Sequence, residues 1–298
     1  MIYAAIDIGS NAGRLLITSV IDTEKELIFK KDVFIRVPLR LGENAFTLHK
    51  LSDKKIIELE KTIVAFKNLI DVYGVSHYRA CATAAMREAK NGEEIIHKIY
   101  ESTGVKLNII DGKKEAELIY NIHIAENLDR NKDYLYIDVG GGSTELTFFS
   151  KNKLIACNSF PIGTIRLLVS KEEDVQWEAM RLWLKENIGE NHNKVVGIGT
   201  GGNINKIAKL VGKKDGKAIT HDDIKTTYNY LNSFTLEERI TKLSMNPDRA
   251  DVIIPACKIF LNIMKWADID DMYVPRLGLV DGIIHHLAEK HKKVKEAV

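Results

Sequence analysis

The sequence predicts an α/β fold made of two related domains in tandem. Segments typical of buried strands alternate with segments of helical periodicity along the 298 residues, which favours mainly parallel sheets. The segment YAAIDIGSNAGRLLI at Tyr3–Ile17 has a counterpart, YIDVGGGSTELTFF, at Tyr136–Phe149. Asp7 aligns with Asp138 at an offset of 131 residues, and a hairpin is predicted after each aligned strand. We therefore expect each domain to carry a tight turn after its first strand.

The first domain is predicted to span residues 1–126 and to begin with a strand and a hairpin. A long amphipathic helix follows, for which Ser52 is a candidate N-cap and Gly74 a candidate end. The predicted strands are Ile2–Ile8, Leu15–Ile21, Lys25–Arg36, Tyr78–Ala82 and Val105–Ile110, and the predicted helices are Leu51–Gly74, Glu93–Ser102 and Lys113–Glu126.

The second domain is predicted to span residues 127–298, because the short polar segment LDRNKD separates it from the first. The THDD segment at Thr220 resembles a helix cap. The C-terminal helix, at about residues 279–298, is a candidate for packing back on the first domain. The predicted strands are Tyr134–Val139, Glu145–Ser150, Leu154–Ser159, Val195–Ile198 and the MYVP segment near the end, with mostly helix between the last two.

Composition and charge exclude several functional classes. The net charge is only +2, so no extended basic field for nucleic acid is expected. Cys81, Cys157 and Cys257 are single and far apart, which argues against a disulfide framework and favours a reducing compartment. No apolar run reaches the length of a membrane span, and no basic leader precedes the first strand. The expected location is the cytoplasm, without membrane contact.

The two turns after the aligned strands are candidate phosphate-binding sites. A turn after a buried strand leaves backbone N–H groups without partners, and glycine lets an anion approach them closely. A third turn, GTGGN at Thr200, can accept an anion, a ribose or a base. The candidate phosphate-binding residues are Gly9, Ser10, Asn11 and Arg14 at the first turn, and Gly140, Gly141, Gly142, Ser143 and Thr144 at the second.

Three carboxylates accompany these turns. Asp7 and Asp138 end the two aligned strands, where a buried carboxylate is costly unless it is hydrogen-bonded or binds a cation. Mg²⁺ prefers one or two carboxylates together with water and substrate phosphate oxygens. Asp7, Asp138 and Glu145 are therefore candidate metal ligands, with Asp138 preferred. The alternative is that each aspartate only caps its own turn.

Five segments carry a recognisable pattern in the same order along the chain. They are DIGSNAGRLL, ATAAMREAKN, IIDGKKEAELIY, IDVGGGSTEL and DRADVIIPACKIF. Together they resemble the exopolyphosphatase and guanosine pentaphosphate phosphatase family, within the actin, sugar-kinase and Hsp70 superfamily. The resemblance implies two tandem ribonuclease-H-like domains of the actin-like ATPase type, with a cleft between them. It also implies Mg²⁺ as cofactor and a homodimer as a candidate assembly.

The resemblance implies a role for individual residues as well. Glu115 matches the family's general base, and Asp138 and Glu145 match residues implicated in Mg²⁺ and water positioning. Arg87 joins the predicted phosphate contacts of the first turn. Lys114 departs from the family pattern, which has a second glutamate before the base, and Ala256 stands where the family has a glycine. The substitution at Lys114 changes the charge beside Glu115.

The predicted function is hydrolysis of the terminal phosphoanhydride bonds of inorganic polyphosphate, of guanosine pentaphosphate, or of both. The resemblance implies that Glu115 and Glu145 are the catalytic residues. Phosphoryl transfer to water needs a fixed phosphoryl group, an offset of its charge and an aligned water, and a positioned base adds to the rate. One alternative is an ATP-dependent kinase of the same superfamily, with its adenine at the GTGGN turn. Another is a non-catalytic sensor that binds polyphosphate or a guanosine alarmone without turnover. The departure at Lys114 is the sequence feature that favours this alternative.

Overall fold

The computed structural model describes residues 1–23, 26–120, 128–129, 131–151, 153–170, 174–189, 194–213 and 217–296. The chain divides into two compact units: unit 1 comprises Met1–Ile122 and Leu279–Val298, and unit 2 comprises His123–Gly278. The predicted boundary between residues 126 and 127 lies outside the described residues, as does the end of the predicted helix Lys113–Glu126.

Unit 1 contains a five-stranded mixed sheet. Its first three strands form an antiparallel meander, whereas the last two run parallel to the first. The strands are β1 (Ile2–Ile8), β2 (Ala12–Asp22), β3 (Leu27–Pro38), β4 (His77–Ala82) and β5 (Leu107–Ile109), in the spatial order β3-β2-β1-β4-β5. The carboxyl ends of β1, β4 and β5 therefore share one edge, the edge at which ligands bind in open α/β sheets.

In the described residues of unit 1, five helices lie between or after the first five strands. They are α1 (Leu41–Leu48), α2 (Asp53–Val72), α3 (Ala84–Glu88), α4 (Gly92–Thr103) and α5 (Gly112–Tyr120). Ser52 is the N-cap residue of α2, although its side chain makes no cap hydrogen bond. Gly74 ends α2 with a φ of 60°, and its N–H donates to Asp71 O at 3.1 Å. Because α3 follows β4 and α5 follows β5, both helices begin at the carboxyl edge of the sheet.

Helix α1 was not predicted from the sequence. It lies between Arg40 and His49, both of which have a φ of 52°. Eight residues are too few for a helix to be stable alone, and α1 is held by packing against α3. Its buried residues Leu41, Ala45 and Phe46 provide that contact surface. Periodicity within so short a segment cannot reveal this helix, because its stability comes from tertiary contacts.

Unit 2 repeats the arrangement with a six-stranded sheet. Its strands are β6 (Asp133–Val139), β7 (Thr144–Ser150), β8 (Lys153–Phe160), β9 (Val195–Thr200), β10 (Ile219–Thr220) and β11 (Asp271–Tyr273), in the order β10-β11-β9-β6-β7-β8. β6, β7 and β8 form an antiparallel meander, and β9 runs parallel to β6. The two-residue strand β10 was not predicted, since it exists only through its pairing with β11.

The register repeats as well as the topology. Asp7 pairs with Arg14 on β2 and with Cys81 on β4. Asp138, at the equivalent position, pairs with Glu145 on β7 and with Thr200 on β9. The repeat seen in the sequence therefore reflects two sheets with the same strand–turn–strand core.

The described part of unit 2 contains seven helices around its sheet. They are α6 (Arg166–Val169), α7 (Asp174–Ile188), α8 (Gly201–Val211), α9 (His221–Asn232), α10 (Leu236–Thr241), α11 (Pro247–Ala250) and α12 (Ile253–Trp266). The expected cap at Thr220 is confirmed: its hydroxyl accepts from Asp223 N–H at 3.1 Å, completing a capping box at α9. The core of this unit includes Phe148 and Phe260, with Trp177 packed against it.

The C-terminal helix α13 (Leu279–Glu296) belongs to unit 1. It packs on β1, β2, β4 and α5. Its buried residues Val280, Ile283 and Ile284 join Tyr3 and Cys81 in one apolar cluster on one face of the sheet. Among the helices in the described part of the chain, none combines the length and the apolar character needed to span a membrane.

Candidate active site

The first predicted turn links β1 to β2 at the carboxyl edge of unit 1. Two carbonyl groups of this turn accept hydrogen bonds from the segment that begins α1. Ser10 O accepts from Gly42 N–H at 2.9 Å, and Asn11 O accepts from Arg40 N–H at 2.9 Å. The Ser10 N–H donates no hydrogen bond within the described residues. This arrangement leaves a backbone donor of the kind that phosphate oxygens use.

Asp7 and Arg14 form an ion pair beside this turn. Arg14 Nη1 donates to Asp7 Oδ2, and the two side chains are 26% and 2% exposed. Burial raises the pKa of Asp7, and the Arg14 charge and hydrogen bond oppose that rise. A Cβ on Gly9 would lie 3.7 Å from Arg14 Nη1, so the guanidinium reaches the turn. Because Arg14 supplies the positive charge, the geometry favours Asp7 as the residue that orients Arg14 rather than as a metal ligand.

Arg87 lies in the last turn of α3, close to the end of β1. The β4–α3 connection is fixed to that end because Thr83 N–H donates to Ile8 O at 3.1 Å. Arg87 Nη1 donates to Ile110 O at 2.7 Å, which ties α3 to the segment that follows β5. A guanidinium has five N–H donors, so this contact leaves others for an anion.

Glu115 lies in the first turn of α5. Asp111 caps this turn, because its Oδ1 accepts from Lys114 N–H at 2.7 Å and its carbonyl accepts from Glu115 N–H at 3.0 Å. The Oε2 atom of Glu115 is buried. Glu115 and Asp7 are both close enough to Cys81 for their charges to contribute to its raised pKa, whose main cause is burial. Glu115 and Asp7 are therefore both neighbours of Cys81.

Lys114, the departure from the family pattern, is directed at a neighbour on its own helix. Its Nζ atom lies 2.9 Å from Glu117 Oε2. This is a surface ion pair, with side chains 34% and 53% exposed, and such pairs contribute little stability. Lys114 is therefore paired locally beside the proposed base.

The second predicted turn links β6 to β7 in unit 2. Gly140 N–H donates to Ser143 O at 2.9 Å and closes the turn. The carbonyls of the turn are bound from one side by the segment that follows β8: Gly140 O accepts from Thr164 N–H at 3.0 Å, and Gly141 O accepts from Ile165 N–H at 2.8 Å. Because these carbonyl groups face the Thr164–Ile165 segment, the N–H groups of the same peptides are directed away from that segment.

Two further features complete this turn. Arg166 Nε donates to Gly142 O at 2.8 Å. Gly163 lies so close that a Cβ there would be 2.4 Å from the carbonyl carbon of Gly142. Within the described residues, the N–H groups of Gly141, Gly142 and Ser143 donate no hydrogen bond. Successive unbound N–H groups of this kind form an anion-binding concavity.

Glu145 anchors the hydroxyl groups near the second turn. It is 3% exposed, and its Oε1 accepts from Ser143 Oγ at 2.6 Å and from Ser159 Oγ at 2.8 Å. Thr144 Oγ1 donates to Ile162 O at 2.6 Å. A carboxylate that accepts two hydroxyl groups in this way orients Ser143.

The third turn, between β9 and α8, meets the second because β6 and β9 are parallel neighbours. A Cβ on Gly201 would lie 2.4 Å from Asp138 Oδ1, so this carboxylate lies against the start of α8. Asn203 Nδ2 donates to Val139 O at 2.7 Å, and Arg249 Nη1 donates to Asn203 Oδ1 at 3.2 Å. Asp138 and Arg249 are thus brought to one helix N-terminus.

Asp138 is the side chain that best fits a Mg²⁺ ligand. Within the described residues, no group of three or more His, Cys, Asp or Glu side chains is arranged to hold a metal ion. Mg²⁺ does not need such a group, because it binds proteins through one or two carboxylates and completes its shell with water and substrate phosphates. Asp138 is partly exposed, whereas Glu145 and Asp7 are buried and accept hydrogen bonds from other side chains.

The structure gathers the predicted residues into two groups, one in each unit. Unit 1 holds Gly9, Ser10, Asn11, Arg14, Arg87, Asp7 and Glu115, and unit 2 holds Gly140, Gly141, Gly142, Ser143, Thr144, Asp138 and Glu145. Sequence reasoning missed Gly163, Ser159 and the contact of Arg249 with α8. For Arg249 and Asp251 of the DRAD segment, the sequence left open a position lining the cleft or an internal ion pair. The predicted β7–β8 hairpin would have indicated Ser159, since it pairs directly with Glu145.

Comparison with known proteins identifies the family. A model described as the Ppx/GppA phosphatase family matches residues 20–291. The chain belongs to this family. This confirms the resemblance drawn from the five sequence segments.

Curated relatives of this Ppx/GppA family member carry several names. A bifunctional 3-dehydroquinate synthase/phosphatase of Fusobacterium nucleatum is 27% identical over 88% of this chain and 43% of its own length. A putative exopolyphosphatase of Haemophilus influenzae is 24% identical over 98% and 93%. A guanosine-5′-triphosphate,3′-diphosphate pyrophosphatase of Photobacterium profundum is 22% identical over 99% and 61%. The chain therefore spans only part of the first and third of these relatives.

Solved structures confirm the fold. The Aquifex aeolicus Ppx/GppA family member has a TM-score of 0.76 and 27% identity, covering 98% of both chains. An exopolyphosphatase from Cytophaga hutchinsonii has a TM-score of 0.82 and covers 97% of this chain and 98% of its own, and its 22% identity shows the fold alone. The expectation of a two-domain actin-like α/β fold is confirmed.

Proposed function

We propose that this protein hydrolyses the terminal phosphoanhydride bond of inorganic polyphosphate, of guanosine 5′-triphosphate 3′-diphosphate, or of both. The observation that carries the proposal is the second turn in unit 2. Its carbonyls are bound from the side of Thr164 and Ile165, so that Gly141, Gly142 and Ser143 present their N–H groups to an anion. Relatives named for each of the two substrates support both as candidates.

In the proposed reaction, water attacks the terminal phosphorus while the bridging P–O bond breaks. Glu115 accepts the proton of the attacking water, and the shortened phosphate chain leaves with the bridging oxygen. The N–H groups of the second turn, with Arg14 and Arg87, bind the phosphate oxygens. Asp138 would hold Mg²⁺, which offsets phosphate charge when it is bound. The roles of Glu115 and Mg²⁺ rest on the family resemblance, and a cleft between the two units remains a prediction.

The decisive assay measures phosphate release from tripolyphosphate, long-chain polyphosphate, guanosine 5′-triphosphate 3′-diphosphate and ATP, each with Mg²⁺ and with a chelator. We expect release from at least one of the first three, lost on chelation. ADP release from ATP only with an added acceptor would replace the proposal with a kinase. Tight binding without any phosphate release would replace it with a sensor, although the local pairing of Lys114 with Glu117 weakens the reason for that alternative.

Glu115→Gln tests the base directly. We expect substrate affinity to change little and kcat to fall at least about a hundredfold, because a positioned base contributes roughly 10²–10⁴ in rate. Glu117→Gln is the matched control, since Glu117 lies on the same helix and forms an ion pair with the surface residue Lys114. A Glu115→Gln enzyme with near-wild-type kcat would remove Glu115 from this role.

A further inference from the structure

A cavity in unit 2 has no part in the function proposed above. Its volume is about 570 Å³, and residues of α6, α7, α10 and α12 line it. A volume of this size is usual for small-molecule sites, which measure roughly 300–1,000 Å³. None of the residues proposed for catalysis or phosphate binding lies in its lining. We call it the α6–α12 cavity.

The walls of the α6–α12 cavity are largely apolar. Trp177 of α7 is half-buried and contributes an aromatic ring. Leu168 of α6 and Leu236 of α10 are 43% and 47% exposed, so much of their apolar surface remains in contact with water. Ile254 and Pro255 of α12 extend the apolar lining. An apolar ring entering the cavity would remove this surface from water.

The charged groups of the lining give it a positive balance. They are Arg239 and Lys258 against one carboxylate, that of Asp251. Arg239 Nε donates to Leu231 O at 2.8 Å, and its Nη1 donates to Ala250 O at 3.0 Å. Both acceptors are neutral carbonyl groups, so these contacts fix the guanidinium without neutralising its charge. Three of its five N–H groups take no part in these two bonds.

Two further polar side chains of the lining lie on one face of α12. Lys258 and Asn262 are four residues apart, so they are neighbours on the helix surface, and Ile254 lies one turn before Lys258. Within the described residues, Lys258 forms no ion pair and the Asn262 side chain no hydrogen bond. A carboxylate can accept hydrogen bonds from an ammonium group and an amide at this spacing.

Helix α6 joins the cavity to the second turn. Arg166 N–H donates to Gly141 O at 3.1 Å, and Arg166 Nε donates to Gly142 O at 2.8 Å. The next two residues, Leu167 and Leu168, line the cavity. A helix of four residues depends on tertiary contacts for its stability. A ligand packed against the two leucines would therefore stabilise the segment that holds the turn.

We propose that the α6–α12 cavity binds a small organic anion, a carboxylate carried on an apolar ring, and that this ligand is an effector of the second turn. The ring packs against Trp177 and Ile254, and the carboxylate accepts hydrogen bonds from Lys258 and Asn262. The binding site goes beyond the proposed hydrolase function, whereas the effector role rests on it.

The first experiment titrates the protein by calorimetry with three probes that share one ring and differ in charge. They are indole-3-acetate, indole-3-acetamide and tryptamine. We expect the Kd of the anion to be about tenfold or more lower than that of the neutral amide, as for a hydrogen bond to a charged group, and tryptamine to bind most weakly. Equal affinity for all three, or no binding of indole-3-acetate, overturns the anion site.

Lys258→Gln assigns the charge preference to this cavity. The Kd of indole-3-acetate should rise about tenfold, and that of indole-3-acetamide should stay unchanged. Lys265→Gln is the matched control, because Lys265 is exposed on the same helix and does not line the cavity. An equal loss in both variants would reject the site. A wild-type dimer that Leu236→Glu converts to a monomer would assign the cavity to a second copy of the chain instead.

The effector role has its own test. The Kd of tripolyphosphate is measured with and without saturating indole-3-acetate. We expect it to be about threefold or more lower with the probe, and the reverse titration must show the same factor. An unchanged Kd rejects the effector role. If tripolyphosphate does not bind the wild type at all, the proposed function and the effector role fail together, and the probe titrations alone decide the binding site.

Discussion

The second turn depends on a close contact that only glycine permits. A Cβ on Gly163 would lie 2.4–2.5 Å from backbone atoms of Gly141 and Gly142, which is closer than real Cβ atoms approach. The neighbouring Thr164 and Ile165 N–H groups bind the carbonyls of the same turn. Gly163 therefore controls the orientation of the N–H groups that are proposed to bind phosphate.

Gly163→Ala should displace the turn. We expect KM for the phosphorylated substrate to rise about tenfold or more, and stability to fall by about 1–3 kcal/mol, as in other overpacked sites. Steady-state kinetics and thermal unfolding provide the two readouts. Gly189→Ala is the matched control, because its Cβ would meet Lys185 O at an ordinary 3.5 Å. Unchanged KM and stability in Gly163→Ala would show that the turn does not depend on this contact.

The two aligned aspartates have different partners despite their equivalent register. Asp7 pairs with Arg14, whereas Asp138 lies against Gly201 at the start of α8. The partner strand decides the difference, since the residue opposite Asp7 on β2 is Arg14 and the residue opposite Asp138 on β7 is Glu145. The same strand–turn arrangement therefore carries an ion pair beside the first turn and two carboxylates beside the second.

The N-caps of the helices differ in how many hydrogen bonds they make. Thr220 and Thr235 form complete capping boxes at α9 and α10. Ser52, at α2, is an N-cap residue without a cap hydrogen bond. A capping box satisfies two backbone donors that would otherwise lack partners. Thr220 and Thr235 should therefore contribute more to the stability of their helices than Ser52 does to that of α2.

Thr220→Ala should destabilise unit 2 by about 1 kcal/mol, within a usual range of roughly 0.5–2 kcal/mol. Urea unfolding monitored by tryptophan fluorescence measures this, because Trp177, Trp183 and Trp266 all lie in unit 2. Thr226 is an exposed position within α9. Thr226→Ala should instead raise the stability of unit 2 slightly, since alanine has the higher helix propensity. The same shift for both substitutions would contradict the role of the cap.

Each unit has its own apolar core with one buried cysteine. Cys81 belongs to the cluster that α13 covers in unit 1, and Cys257 belongs to the core of unit 2. Burial raises the pKa of Cys81 to about 11 and that of Cys257 to about 12. Cys157 is only partly buried. The three thiols therefore report on the folding of the two cores and on the surface.

A thiol reagent at pH 8 should modify Cys157 in the native protein and leave the other two cysteines unmodified. With a pKa near 11, only about one Cys81 thiol in a thousand is ionised at this pH, and burial also blocks access. Mass spectrometry of the labelled protein counts the modified thiols. In denaturant, all three should react. Rapid native labelling of Cys81 or Cys257 would show that the core containing it opens readily.

The sequence by itself determined most of the strands, the hairpins and both turns. These features depend on neighbours in the chain: alternating burial, glycine where a turn is tight, and a threonine that caps its own helix. Five motifs in order were also sufficient to indicate the family. The tandem domains followed from the repeated Asp-x-Gly pattern, because the same local sequence folds into the same strand and turn.

Only the tertiary structure decided which distant groups meet. Arg249 lies over Gly202, Gly163 packs against Gly142, and α13 joins unit 1 although it ends the chain. The short helix α1 and the strand β10 likewise exist because of their partners. Such contacts join residues that are far apart in the sequence, and each is fixed by the summed packing of many side chains. No local pattern records that sum, so these contacts became visible only in the folded chain.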